Sequence, residues 1–175
     1  MKTLVMFGSL GLLSLSVFGQ APASDTGRSS NVKGADRKFA MMVAQTDLAE
    51  IQLGNLALQK STNDEVKKIA QKLVDDHTKT SAALKQIASS KGLTLPTEPD
   101  AKHKALATKL EGESGEQFDK DFLSANSSDH HKVVSSFQKE SQSGSDPEIK
   151  AFAIQFLPAI QEHSQTIDQA LTAKK

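Results

Sequence analysis

Hydrophobic residues recur every three or four positions along most of the chain, which is the spacing of an amphipathic α-helix. Four long segments carry such a stripe, and a shorter one lies between the second and the third. The predicted bounds of the five segments are 36–60, 64–91, 101–112, 116–141 and 147–172. No segment alternates with the period of two that a half-buried strand requires. The pattern therefore predicts an all-α fold.

The connections between the long segments predict how the helices are arranged. Only a few residues separate the first helix from the second and the third from the fourth, so each pair should form an antiparallel hairpin. Asn63 or Ser61 is the expected N-cap after the first turn, and Asp146 is the expected N-cap after the second. Residues 92–115 are long enough to cross the roughly 40 Å length of a helix. We therefore predict a ferritin-like four-helix bundle, in which a long crossover joins two antiparallel hairpins and the second and third long helices run parallel.

One ionisable residue interrupts each long apolar stripe near the middle of its helix. In chain order these residues are Glu50, His77, His130 and His163. If the four helices pack side by side, the four side chains lie at one level of the core. Three imidazoles and one carboxylate suit zinc, copper, iron or nickel, so we predict a site for a single transition-metal ion. The alternative is a buried hydrogen-bonded network without metal, because buried polar side chains normally find partners.

Other polar residues lie close to these four along the chain. His131 points about 100° away from His130 on the same helix and would replace it if the register were shifted. His103 falls in the polar crossover, where we expect it to be solvated. Each of the three core histidines directly follows an acidic residue, and these residues are Asp76, Asp129 and Glu162. Because adjacent residues on a helix point in different directions, we expect the three acids to be flanking surface charges and not ligands.

Composition excludes several classes of function. Among 175 residues, 21 basic and 21 acidic side chains cancel, so no overall field attracts nucleic acid. The absence of Trp and Tyr removes the usual stacking surface for single strands. The absence of cysteine excludes disulfides and thiolate ligands. The chain is therefore predicted to bind no nucleic acid, while a protein partner or an oligomer stays open.

The N-terminal residues have the composition of a signal peptide. Lys2 precedes an apolar run over residues 4–18, and small residues follow it. The run is shorter than the roughly 20 residues that span a bilayer. Cleavage after Gly19 and cleavage after Ala23 are both open, and a retained anchor is the alternative. We predict a bacterial periplasmic or secreted protein with no membrane span after cleavage.

These observations divide the chain into three parts. Residues 1–23 are the predicted signal peptide. Residues 24–35 are polar and small, without periodicity, and predict a disordered leader. Residues 36–173 are the predicted helical domain.

Four stretches of the chain resemble one bacterial family. They are AEIQLGNLA, VKKIAQKLVDDHTKT, FDKDFLSANSSDHH and EIKAFAIQFLPAIQEH. Together they resemble domain-of-unknown-function family 4142, whose members are often labelled outer-membrane proteins and belong to the ferritin-like fold group. The resemblance covers residues 36–171. It implies that fold, and it places the recurring Glu and His positions of the family on Glu50, His77, His130 and His163.

The sequence argues against an enzyme. A di-iron bundle needs Glu-x-x-His on two of its helices. Here the residues three positions before the core histidines are Val74, Ser127 and Ile160. The chain also has no nucleophile elbow, phosphate loop or zincin motif. The first hypothesis is therefore a non-enzymatic exported bundle that binds one metal ion in a sequestration, delivery or stress role. The alternative is a structural or partner-binding helical module with a buried polar network, and a metal-dependent enzyme ranks last.

Overall fold

The computed structural model describes residue 32 and residues 34–173, which form five α-helices and contain no strand. The helices are α1 (Gly34–Lys60), α2 (Asp64–Ser90), α3 (Ala101–Glu111), α4 (Gly115–Ser143) and α5 (Pro147–Ala173). Each predicted segment is present, and its ends lie within two residues of the predicted bounds. The predicted all-α fold is confirmed.

Capping residues set the ends of the helices at both hairpin turns. The Asn63 side chain accepts hydrogen bonds from the backbone N–H groups of Glu65 and Val66, at 2.9 and 3.2 Å. The Asp146 carboxylate accepts one from the N–H of Ile149 at 3.1 Å. These bonds satisfy N–H groups that have no partner inside their own helices. The two predicted caps are therefore in place.

Two apolar clusters, one toward each end of the bundle, establish the direction of every long helix. The first combines the N-terminal halves of α1 and α5 with the C-terminal halves of α2 and α4, as in Phe39, Phe152, Leu84 and Phe137. The second combines the opposite halves, as in Leu53, Ile167, Leu73 and Phe122. The helices of each hairpin are therefore antiparallel, whereas α2 and α4 are parallel, as the length of the crossover predicts.

The long helices form a four-sided bundle. The main contacts of α1 are with α2 and α4, and those of α5 are with α4 and α2. The parallel helices α2 and α4 are therefore diagonal neighbours. Helix α3 lies along the α1–α4 side and buries Ala107 and Leu110 in the second cluster. This arrangement is consistent with the ferritin-like group that the family resemblance implies.

Helix α1 begins two residues before its predicted start. The signal segment and most of the leader lie outside the described residues. Within the described part, α1 starts at Gly34 and not at Asp36, and Val32 is buried in the first apolar cluster. A single apolar side chain has no periodicity, so the pattern along the chain could not assign it to the core. None of the described helices combines the length and the apolar composition that crossing a membrane requires.

Candidate metal centre

Three histidines from three helices meet in the core between the two apolar clusters. His77 on α2, His130 on α4 and His163 on α5 are only 1, 1 and 2% exposed. Their ring centroids form a nearly equilateral triangle with sides of 5.7, 5.5 and 5.6 Å. The helical spacing of each stripe turns the ring inward, and the common level of the three residues brings the rings together.

Each imidazole is oriented by a hydrogen bond at one ring nitrogen. His77 Nδ1 lies 2.8 Å from the Asp47 carboxylate, and Thr80 Oγ1 donates to the same oxygen at 2.9 Å. His163 Nε2 lies 3.0 Å from the Asp76 carboxylate. His130 Nδ1 lies 2.9 Å from its own helix's backbone carbonyl at Asn126. The Asn126 carbonyl and the ionised Asp76 carboxylate carry no proton, so they assign the N–H of neutral His130 to Nδ1 and that of neutral His163 to Nε2. Neutral His77 carries its N–H on Nδ1 when Asp47 is ionised.

When Asp47 is ionised, the second nitrogen of each ring is left with a lone pair. His77 Nε2, His130 Nε2 and His163 Nδ1 are buried without a hydrogen-bond partner among the described residues. The three histidines can each offer a ligand atom such that all three atoms lie within 4.8 Å of one another. A buried acceptor without a partner costs about 1–3 kcal/mol. Three such acceptors in one place therefore destabilise the core unless a ligand satisfies them.

Glu50 lies at the edge of this histidine cluster. Its carboxylate is 1% exposed, and its Oε1 is 3.9 Å from His130 Nδ1. Its Oε2 has no hydrogen-bond partner among the described residues. The set of mutually close ligand atoms comprises the three histidines and does not extend to Glu50. The four predicted residues are thus neighbours in the core, with the carboxylate set apart from the imidazole triangle.

Burial controls the charge of these groups. Desolvation lowers the pKa of His77 and of His163 to about 4, and the pKa of His130 to about 3. The same effect, reinforced by the nearby charges of Asp129 and Asp47, raises the pKa of Glu50 to about 8. All three imidazoles are therefore neutral at neutral pH, which is the state that can donate a lone pair to a metal ion.

Asp47 is a residue of the site that the sequence analysis missed. It is 2% exposed, and burial raises the pKa of its carboxyl to about 8 although Thr80 donates a hydrogen bond to it. Asp47 lies four residues after Val43 and three before Glu50, so it belongs to the same helix face. The spacing alone could have identified it.

Asp76 corrects one of the predictions about the flanking acids. It was expected to be a surface charge, yet its side chain is only 18% exposed and accepts the hydrogen bond of His163. Burial by itself would raise the pKa of Asp76, but hydrogen bonds from Lys79, His163 and Lys72 outweigh burial and hold it below the ordinary range. Glu162 has a 60% exposed side chain beside Lys72, as expected.

The two remaining histidines lie outside the cluster. His131 is a surface residue whose Nε2 pairs with Asp168 at 3.1 Å, so it does not replace His130. The prediction that His103 is solvated is wrong. His103 is 8% exposed and lies between two carboxylates, at 2.9 Å from Asp100 and 3.3 Å from Asp129. Asp129, also expected on the surface, is buried by this contact because α3 folds back onto α4.

Solved structures of other proteins share this fold at low sequence identity. A DUF305 fragment from Deinococcus radiodurans matches with a TM-score of 0.72 at 15% identity, over 81% of this chain and 98% of that one. A DUF305 protein from Streptomyces coelicolor, named as a candidate secreted protein, matches with a TM-score of 0.67 at 13% identity, over 79 and 93% of the two chains. No curated protein matches the sequence.

A family profile gives the assignment that these distant structures cannot. The profile described as "Domain of unknown function (DUF4142)" matches residues 21–170. The match includes α1 to α4 and nearly all of α5, and with them every residue of the histidine cluster. The chain therefore belongs to the DUF4142 family of domains of unknown function.

Proposed function

We propose that this helical bundle binds one transition-metal ion through His77, His130 and His163. Two observations on the same three buried histidines support the proposal best. Each can offer a ligand atom within 4.8 Å of those of the other two, and each has one ring nitrogen without a hydrogen-bond partner among the described residues. A metal ion would satisfy all three lone pairs at once. A purely structural network would instead leave three acceptors unsatisfied, which is destabilising.

The surrounding groups support the same assignment. Histidines that ligate metals almost always donate their other ring N–H to a carboxylate or a backbone carbonyl, which fixes the tautomer and the ring orientation. Asp47, Asp76 and the Asn126 carbonyl occupy these positions here. Asp76 is ionised and provides negative charge near a cation, and a bound cation would favour release of the protons that burial keeps on Asp47 and Glu50. Glu50 is the candidate for a fourth ligand, after a side-chain movement toward the triangle.

The ligand set defines the class of ion. Neutral imidazole suits zinc, copper, iron and nickel, and the chain has no thiolate that would favour a softer site. Because the proposed ligands are at most 2% exposed, a bound ion would be shielded from substrates. This argues for sequestration, delivery or stress protection in preference to catalysis.

We further propose that the protein is exported. The support is the signal-like sequence of residues 1–23 and the description of a structural neighbour as a candidate secreted protein. A periplasmic or secreted bundle would meet metal ions from outside the cell, where a buried site with slow release is useful.

The test is a metal analysis of untagged protein. Protein purified from periplasm without a polyhistidine tag is analysed by elemental mass spectrometry, and metal-free protein is then titrated with zinc. We expect one bound ion per chain, and loss of binding in a His77→Ala/His163→Ala variant. The matched control is His131→Ala, which removes an exposed histidine from the helix of His130 and should leave binding intact.

Two results would contradict the proposal. One is wild-type protein that binds no metal in either experiment. The other is equal binding by the wild type and the double variant, which would place the ion elsewhere. Either result favours the structural or partner-binding module with a buried polar network.

A further inference from the structure

We propose that the metal ion reaches the histidine cluster through a cleft between α1 and α4, and that the contact between His103 and Asp129 closes this entrance. The inference rests on the proposed metal binding and adds the route by which the buried site is loaded. Such a route is needed because His77, His130 and His163 are almost completely buried, so an ion can reach them only through an opening.

Close contacts join the helices on three of the four sides of the bundle near the level of the cluster. The α1–α2 hairpin is tight, since a Cβ added to Gly54 would lie only 2.6 Å from a methyl group of Val74. The α4–α5 hairpin is joined by Ser127, which donates to Asp168 at 2.6 Å. The α2–α5 side is bridged by Lys72, which contacts Asp76 on its own helix and Glu162 on α5. On the fourth side, between α1 and α4, the structure instead contains a cleft.

A cleft of about 250 Å³ lies between α1 and α4, beneath the start of α3. Its walls include Thr46, Asp129 and Val133. Thr46 precedes Asp47, which orients His77. Asp129 precedes His130, and Val133 follows His130 by one helical turn. The cleft is thus lined by residues that are close in sequence to those that carry the site.

The chemistry of the cleft suits a cation in transit. His103, Asp100 and Asp129 place an imidazole and two carboxylates along it. Lys102 pairs with Asp129, and Lys132 lies 3.4 Å from the same carboxylate. Both ammonium groups compete with an incoming ion for the Asp129 carboxylate. Lys102 lies on α3 and helps His103 to hold the two helices together, whereas Lys132 lies on α4 beside Asp129.

Helix α3 is attached in a way that allows its first turn to lift. Its C-terminal half is anchored by the fully buried Leu110 and by Lys109, which pairs with Asp121 on α4 at 2.7 Å. The hydrogen bonds and ion pairs that join its N-terminal turn to α4, within the described part of the chain, are those of Lys102 and His103 with Asp129. Lifting this turn exchanges polar contacts for water and leaves the apolar anchor in place.

The test compares the rates of zinc loading and release with the amount of zinc bound at equilibrium. Zinc-loaded protein is mixed with an excess of a chromophoric chelator, and metal-free protein with zinc, in a stopped-flow instrument. His103→Ala removes the contact between His103 and Asp129, which we call the latch. The substitution should accelerate both zinc release and zinc loading by about tenfold, the effect of losing one charge-assisted contact. The amount of zinc bound at equilibrium and the affinity should stay unchanged, because neither ligand nor orienting residue is altered.

A second variant and a control complete the experiment. Asp129→Asn weakens the same latch from the α4 side and should also accelerate exchange. Lys104 lies on α3 but does not line the cleft. Lys104→Ala removes its ion pair with Glu98 and should leave the rates as in the wild type. A hydrogen-exchange measurement on residues 101–106 provides a readout without metal, and exchange there should be faster in His103→Ala.

The outcomes separate this inference from the proposed function. The entrance is overturned if wild-type protein binds zinc but both latch variants show unchanged zinc rates and unchanged hydrogen exchange. That result does not contradict the metal site. Wild-type protein that binds none of zinc, copper, iron and nickel at equilibrium overturns the metal site and the entrance with it. Faster exchange with equal zinc content in both latch variants supports the entrance.

Discussion

His77 and Glu50 are buried at the same level of the core, yet burial acts on them in opposite directions. The pKa of His77 falls from 6.5 to about 4, and the pKa of Glu50 rises from 4.5 to about 8, because desolvation disfavours whichever form is charged. His130 and His163 behave like His77, and Asp47 behaves like Glu50. Burial therefore favours the neutral form of these five groups in the folded, metal-free protein, and stability should depend on pH in two ways.

From these five groups we predict that the metal-free protein is most stable near pH 6.5. As the pH falls below 6.5, the unfolded chain protonates its histidines while the folded core resists until about pH 4, so stability is lost. As the pH rises from 6.5 to about 8, the folded state retains the protons of Glu50 and Asp47 that the unfolded chain has released, so stability is lost again. Each mismatched proton changes the free energy of unfolding by about 1.4 kcal/mol per pH unit. Urea denaturation at a series of pH values measures the curve.

Two substitutions separate the two limbs of that curve. His77→Leu should flatten the acid limb, because one histidine no longer takes up a proton on unfolding. Glu50→Gln should flatten the alkaline limb. It should also steepen the acid limb, because Glu50 no longer releases a proton on unfolding that offsets the protons taken up by the histidines. The slopes are the relevant quantity, since either variant also changes the overall stability. Slopes equal to those of the wild type in both variants would show that neither group is held neutral by burial.

At the scale of the helices, the close approach of α1 and α2 depends on Gly54. An added Cβ would meet a Val74 methyl group at 2.6 Å and the Ala70 backbone oxygen at 3.1 Å. Neither neighbour yields easily, because a valine side chain has one strongly preferred rotamer in a helix and the oxygen belongs to the backbone. Gly54 also lies one helical turn after Glu50, so a shift of α1 here reaches the site.

We predict that Gly54→Ala destabilises the protein although alanine is the better helix former. The gain in helix propensity is about 1 kcal/mol, and overpacking costs about 1–3 kcal/mol, so the net loss should be about 1 kcal/mol. Thermal or urea denaturation measures it. Gly34→Ala is the matched control, because a Cβ there meets nothing within 4 Å. A Gly54→Ala protein at least as stable as the wild type would show that the hairpin adjusts without strain.

For the whole molecule, metal binding and folding should be linked. The proposed ligands come from α2, α4 and α5, and the neighbouring carboxylates Asp47 and Glu50 come from α1. The site therefore exists only when all four long helices are packed together. An ion that binds the folded state alone stabilises it in proportion to the logarithm of the free ion concentration.

We predict that zinc raises the melting temperature and that a chelator reverses the rise. At a free concentration of 100 times the dissociation constant, the stabilisation is about 2.7 kcal/mol, which corresponds to roughly 5–10 °C for a domain of this size. Scanning calorimetry at several zinc concentrations measures the shift. The His77→Ala/His163→Ala variant should show no shift, and a shift of equal size in that variant would mean that zinc stabilises the protein at another place.

The periodicity of the chain was enough to predict most of the fold. Each helix was predicted to within two residues, because apolar spacing and capping residues are local features that one segment carries by itself. The parallel direction of α2 and α4 followed from the length of residues 92–115. The inward orientation of His77, His130 and His163 followed from their position on apolar stripes, which depends only on the helical repeat.

The tertiary structure alone decided the partners of those residues. Asp76 bonds to His163 across the α2–α5 interface, and His103 reaches Asp129 because α3 folds back along α4. Glu50 lies beside the histidine triangle and not within it. Each of these contacts depends on the rotation and axial shift of one helix relative to another. Those quantities are set by the packing of all the helices together, so the repeat within a single helix carries no record of them.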